Sequence, residues 1–200
     1  MKLNTLRDVF EESIRDLYSA ETQLTKALPK MAKAASNPDL KAAFTEHLEV
    51  TRNQAARLEQ ICDRLGIKAK GKTCQAMKGL IEEGSEIIEE DGSPAAKDAA
   101  LIGAAQKVEH YEIAGYGTVH TFATILGEEE AAELLEQTLN EEKEADESLT
   151  ELAESSINDE AAEDEDDEEE EADEPEAKTK KSEIMKNGTG RVATASSRRK

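Results

Sequence analysis

The chain has 200 residues, enough for one sizeable core plus a tail and short for two full domains. Hydrophobic residues make up 37%, aromatics only 3% and charged residues 36%, a balance that argues against an all-β fold. The formal charge of −21 is uneven: 14 of the 18 residues in 159–176 are acidic, 177–200 holds eight Lys or Arg against Glu183, and 1–158 keeps 17 basic and 31 acidic groups. An acidic body disfavours nucleic acid as a partner, so any such contact falls weakly to the basic end of the tail.

The first long segment runs from near Thr5 to about Ala35, with Phe10, Ile14, Leu17, Leu24, Leu28 and Met31 at helical spacing. Pro29 inside it should bend the helix or cost a hydrogen bond. Ser36-Asn37-Pro38-Asp39 then stops that helix and caps a second, whose stripe is Leu40, Phe44, Leu48, Ala55, Leu58 and Cys62 or Leu65, up to Gly66. A polar connector leads to a shorter amphipathic helix from Cys74 to about Glu90. Ser93 and Pro94 open a third long helix carrying Leu101, Ala105, Val108, Tyr116 and Val119, which ends at Gly127.

A fourth helix spans about Glu128 to Ile157, with Leu135, Leu139 and Leu149 inward. Beyond it nothing offers itself for burial, so the domain is expected over 1–158 and a disordered acidic-then-basic tail over 159–200. No run reaches the roughly 18 apolar residues of a membrane span. The start, Met1-Lys2-Leu3-Asn4, lacks the apolar stretch of a secretory signal, so a cytoplasmic location without membrane contact is expected. In that compartment Cys62 and Cys74 are expected as free thiols.

Connection lengths select the topology. A few residues join helices one and two, and three and four, whereas nearly thirty residues separate the two hairpins and include the short helix. That link can run the length of a bundle, which predicts an all-α, ferritin-like four-helix bundle with one long crossover carrying a short extra helix. An up-down-up-down bundle is the alternative and would not need so long a link.

Charges interrupt the stripes. Glu21 falls where an apolar residue is due between Leu17 and Leu24, Glu112 between Val108 and Tyr116, and Glu142 between Leu139 and Leu149. Glu109 and Asp146 lie one turn from these positions, and His47 sits beside Phe44 and Leu48 on the second helix. A buried carboxylate costs several kcal/mol unless it is paired or coordinates a metal. The nearby Lys26, Lys30, Arg57, Lys107 and Lys143 mostly leave the stripes, so two divalent cations, iron or manganese, are expected among Glu21, His47, Glu109, Glu112, Glu142 and Asp146. The plainer reading makes these acids solvated flank residues of long helices, and His47 a satisfied core histidine. The Glu-x-x-His pairs of classical di-iron bundles do not occur: Arg52 follows Glu49 and Ala145 follows Glu142 at that spacing.

The stretches 16–21, 46–49, 76–84, 99–112 and 138–143, above all Gln106-Lys107-Val108-Glu109-His110-Tyr111-Glu112, resemble the YciE/YciF-type bacterial stress proteins, a ferritin-like family. The resemblance covers about residues 4 to 157. It implies a ferritin-like domain, a homodimer, a di-metal centre and induction under stress, without a reaction. The family's inward acidic positions correspond to Glu21, Glu112 and Glu142, with Glu109, Asp146 and His47 as companions. Val50 stands where relatives often carry a second Glu, leaving fewer oxygen ligands on the second helix. The function expected is a metal-binding stress protein reacting with peroxide or oxygen, or alternatively a non-enzymatic helical dimer acting through protein contacts. Tyr18 and Tyr111 read as packing residues or as hydrogen-bond donors beside the metals.

Overall fold

In the computed structural model, which describes residues 3–163, the chain is helical throughout and contains no strand among the described residues. Helix α1 (Leu6–Ala34) opens on a capping box in which the Thr5 hydroxyl accepts from the Asp8 N–H while the Asp8 carboxylate accepts from the Thr5 N–H. Pro29 lies on its exposed face and the helix runs through it. Helix α2 (Pro38–Leu65) begins at an Asn37 cap with proline in its first turn. It ends at Gly66, whose φ of 66° is the left-handed conformation that favours glycine.

Helix α3 (Gln75–Glu89) is the short crossover element, and Cys74 caps it. Helix α4 (Pro94–Leu126) opens on Ser93 and closes on Gly127, again left-handed, before α5 (Glu129–Leu152). The helical path then continues through a π turn, Ala153–Ile157, to residue 163. It thus runs past the expected helix end near Ile157, which is itself buried in the same apolar cluster as Leu149. The predicted disordered tail and its basic end, from 164 on, lie outside the described residues.

Two apolar clusters fix the topology. One joins Phe10, Ile14, Leu58, Ile61, Val119 and Leu135, that is, the start of α1, the end of α2, the end of α4 and the start of α5. The other joins Leu28, Leu40, Phe44, Leu101 and Leu149 from the opposite ends of the same four helices, with Met77 of α3. Helix α2 therefore finishes where α4 also finishes, and the 66–93 link must travel the length of the bundle before α4 begins. This is the ferritin-like arrangement with one long crossover, and the up-down-up-down alternative is excluded.

Polar ties hold the connections in place. The buried Asp98 carboxylate accepts the Ser36 N–H at 2.9 Å and the Asn37 N–H at 2.6 Å, pinning the α1–α2 turn to the start of α4. The crossover is fastened to α1 where the Ser19 hydroxyl accepts the Cys74 N–H at 2.9 Å and Gln23 Nε2 donates to the Cys74 carbonyl at 3.1 Å. Both cysteines are free and buried, as expected.

Candidate metal centre

Between the apolar clusters lies a layer of carboxylates. Helix α1 contributes Glu21, α4 contributes Glu109 and Glu112 on consecutive turns, and α5 contributes Glu142; their exposures are 0%, 3%, 1% and 0%. Helix α2 supplies His47, whose Nε2 stands 3.5 Å from Glu109 Oε1 and 4.0 Å from Glu142 Oε2. These five groups form two overlapping triads, His47–Glu109–Glu142 and Glu21–Glu112–Glu142, and within each triad the ligand atoms all lie within 4.8 Å of one another. Glu142 belongs to both.

Few donors reach this layer. The Tyr116 hydroxyl, one turn beyond Glu112, donates a short hydrogen bond to Glu21 Oε1. Glu21 Oε2, Glu109 Oε2, both oxygens of Glu112 and both of Glu142 have no hydrogen-bond partner among the described residues. The nearest guanidinium is spent elsewhere. Arg57 makes a forked pair with Glu141 at 2.5 and 2.7 Å and also donates to the Thr138 hydroxyl, while Gln54 and Gln137 donate to the same Glu141. Burial raises the Glu141 carboxyl, but Arg57 and the two amides outweigh it and hold that group below the usual range.

The central acids behave oppositely. Burial, followed by the proximity of other carboxylates, holds Glu21, Glu112 and Glu142 well above the ordinary carboxyl range; burial pushes Glu109 up to about 8 against the lowering effect of the Glu142 carboxyl beside it. Burial also pulls His47 down to about 4, so its imidazole is neutral near pH 7 and its nitrogen is available as a ligand. Four buried carboxyls can be stabilised in two ways: by taking up protons, or by a cation of higher charge density than any side chain present. The donor set, carboxylate oxygens plus a neutral imidazole, fits iron or manganese.

Of the six expected ligands, the structure brings five together. Asp146 stands apart on α5: it is half-buried, accepts from Gln106 Nε2 at 3.2 Å, and faces His110 Nε2 at 3.3 Å, outside both triads. One turn beyond Glu142 carries it to the rim, where a neighbouring amide and imidazole already engage it. Tyr18 and Tyr111 donate to Glu59 and Asp16 and touch none of the five. The tyrosine that does is Tyr116, which on its apolar stripe reads as a packing residue; its position four residues after Glu112 was the available signal. The Arg57–Glu141 pair, by which the local cation is diverted, has no signature in the sequence.

The chain matches, over residues 5–162, the family described as a domain of unknown function, DUF892. It belongs to the DUF892 family. Among DUF892 relatives, it is 51% identical over 159 residues to the protein YciF of Escherichia coli strain K12, covering 79% of this chain and 96% of that one. The crystal structure of the E. coli stress protein YciF superposes with a TM-score of 0.75, over 78% of this chain and 99% of that one. YcfI of Rhodopseudomonas palustris follows at 44% identity and a TM-score of 0.72, over 74% and 95% of the two chains. A Xanthomonas campestris protein, 24% identical with a TM-score of 0.61 over 76% and 92%, shares the fold. The chain is thus a YciF-type member of DUF892, and among its described residues no helix is long and apolar enough to cross a membrane.

Proposed function

We propose that this protein is a metal-binding stress protein whose bundle holds a pair of iron or manganese ions between α1, α2, α4 and α5. One ion would be held by His47, Glu109 and Glu142 and the other by Glu21, Glu112 and Glu142, with Glu142 serving both. Such ions, when bound, supply Lewis-acid and redox chemistry toward peroxide or oxygen. The name of the relative YciF, a stress protein, is the support for the stress setting, and the family resemblance adds a homodimer.

The chain's own residues prepare the site. Tyr116 orients the Glu21 carboxylate from one side and leaves Oε2 open. Arg57 is tied to Glu141, so it does not neutralise the central acids in place of a metal. The apolar clusters above and below bury the carboxylates of the layer, which strengthens any charge–charge interaction within it.

The observation that carries this reading is the set of buried carboxylate oxygens without donors, arranged as two triads that share one residue. The test is metal analysis of protein purified without chelator, before and after loading with ferrous or manganous ions. An approach to a pair of ions per chain is expected. Content that stays a small fraction of one ion after loading would favour the alternative, a helical dimer with protonated central acids that acts through protein contacts.

A further inference from the structure

A cavity of about 330 Å³ lies between the helices on the side where α2 faces α5, a pair that packs less closely than either hairpin. Leu24, Leu28, Met31, Phe44, Val108 and Leu149 supply its large apolar side chains. At its inner end stand His47 and Glu109, members of one metal triad, and Glu109 Oε2 is a buried oxygen without a partner. The cavity is therefore a partly open, largely apolar groove that reaches the candidate metal centre at one end, with the exposed Glu46, Glu144 and Ser148 also on its lining.

Size and lining define what it can take. At about 30 Å³ for each water-sized group, the volume suits on the order of ten non-hydrogen atoms. Water along its apolar walls finds few hydrogen bonds there, so an aliphatic group displaces it at little cost. Leu24, Leu28 and Met31 follow one another along a single face of α1, so at 1.5 Å per residue the groove extends roughly 10 Å along the bundle axis. A permanent anion at its inner end would meet the carboxylate layer, and a cation would compete with the metals for it.

The geometry points to a binding site for a linear aliphatic molecule of medium length with one neutral oxygen head group, an alcohol or an aldehyde. The tail lies among Leu24, Leu28, Met31, Phe44 and Leu149, and the head meets His47 and Glu109. The placement of the head rests on the metal reading above; the fit of the tail does not. This assigns to the centre an organic ligand in addition to small oxygen species.

The probe is 1-decanol, titrated into the full chain with and without manganese and followed by saturation-transfer NMR and calorimetry. Val50 and Ala145 are half-buried residues of the cavity wall and ligate nothing, so Val50→Trp and Ala145→Trp fill the groove and spare the carboxylate layer. Saturable decanol binding by the natural chain, weakened at least about tenfold in both variants with manganese content unchanged, is the expected result. Absence of binding up to the solubility of decanol in a chain that retains manganese would overturn the inference and leave the metal reading standing. Binding that both variants retain would place decanol elsewhere and overturn it too. Light scattering showing that the variants change only the oligomeric state, with decanol affinity unaltered, would assign the groove to a second copy of the chain. Decanol binding by a chain that takes up no manganese would support the tail site while removing the metal reading.

Discussion

Where α1 begins, Phe10, Ile14, Leu58, Ile61 and Leu135 fill the cross-section of the bundle, and the hydroxyls of the two tyrosines buried with them reach outward to other elements, Tyr18 to Glu59 and Tyr116 to Glu21. A few turns further along the same helices, Glu21, His47, Glu109, Glu112 and Glu142 occupy the equivalent inward positions. The backbone geometry is shared, so the difference lies in what the side chains do for the fold. At the apolar end each residue removed from water stabilises the protein by about 1.5–3 kcal/mol. In the middle, each buried carboxyl opposes folding unless a proton or a cation compensates it. Acids elsewhere in the protein carry no such debt: Asp98 caps a turn, Glu141 meets Arg57, and Asp146 meets Gln106. Among the described residues, the central group is the one whose carboxylate oxygens are mostly left without donors.

The comparison breaks most visibly at its apolar end. Phe10→Ala should cost about 3–5 kcal/mol in chemical denaturation, because the cavity it leaves is enclosed by α2 and α5. The folded fraction should still bind metal with unchanged stoichiometry. In the middle the pattern reverses: Glu142→Gln should abolish metal uptake while leaving the metal-free protein equally stable or more so. It should also erase the metal-dependent stabilisation of the natural chain, about 2.7 kcal/mol at a hundredfold excess over the dissociation constant, read as the change in melting with added manganese.

Asp98→Ala tests the paired class. It leaves the Ser36 and Asn37 N–H groups without their acceptor and should cost about 1–3 kcal/mol in urea melts, with metal content unaffected. Tyr116→Phe removes the single donor to Glu21 and should cost about 1 kcal/mol in the metal-free protein, measured the same way.

A test that needs no substitution is the pH dependence of the metal-free chain. Glu109 is held at about 8 against 4.5 in the unfolded chain, so between these values the folded state carries the extra proton and stability falls as pH rises. His47 acts in the other direction: pulled down to about 4 from 6.5, it contributes stability above pH 6.5 that is lost as pH falls toward 4. From pH 6.5 to 8 only the carboxyl effect operates: Glu109 alone should give urea melts a decline of about 1–2 kcal/mol, and the raised Glu21, Glu112 and Glu142 add to it in the same direction. Saturating manganese should remove that decline, since the cation replaces the proton. A flat profile in the metal-free chain would mean that the central acids are compensated by something other than protons.

Much of this was legible along the chain. The stops at Gly66 and Gly127, the capped prolines at 38 and 94, and the unequal link lengths sufficed for four long helices with one crossover. Glu21, Glu112 and Glu142 were conspicuous because each breaks a 3.6-residue apolar pattern from within. Flank residues were ambiguous: Glu109 and Asp146 each lie one turn from an inward acid, yet the first is buried at the centre and the second is engaged at the rim. The fourth helix was expected to end near Ile157, whereas the helical path continues to residue 163.

Periodicity therefore determined which face of each helix turns inward and that three acids lie on those faces, since helical spacing is a local property of the chain. Which acids meet, that Glu142 serves two triads, that Tyr116 reaches Glu21 and that Arg57 is held by Glu141 were decided only by the tertiary structure. Those relations depend on the height and rotation of one helix against another, and these are set by packing between residues far apart in the sequence.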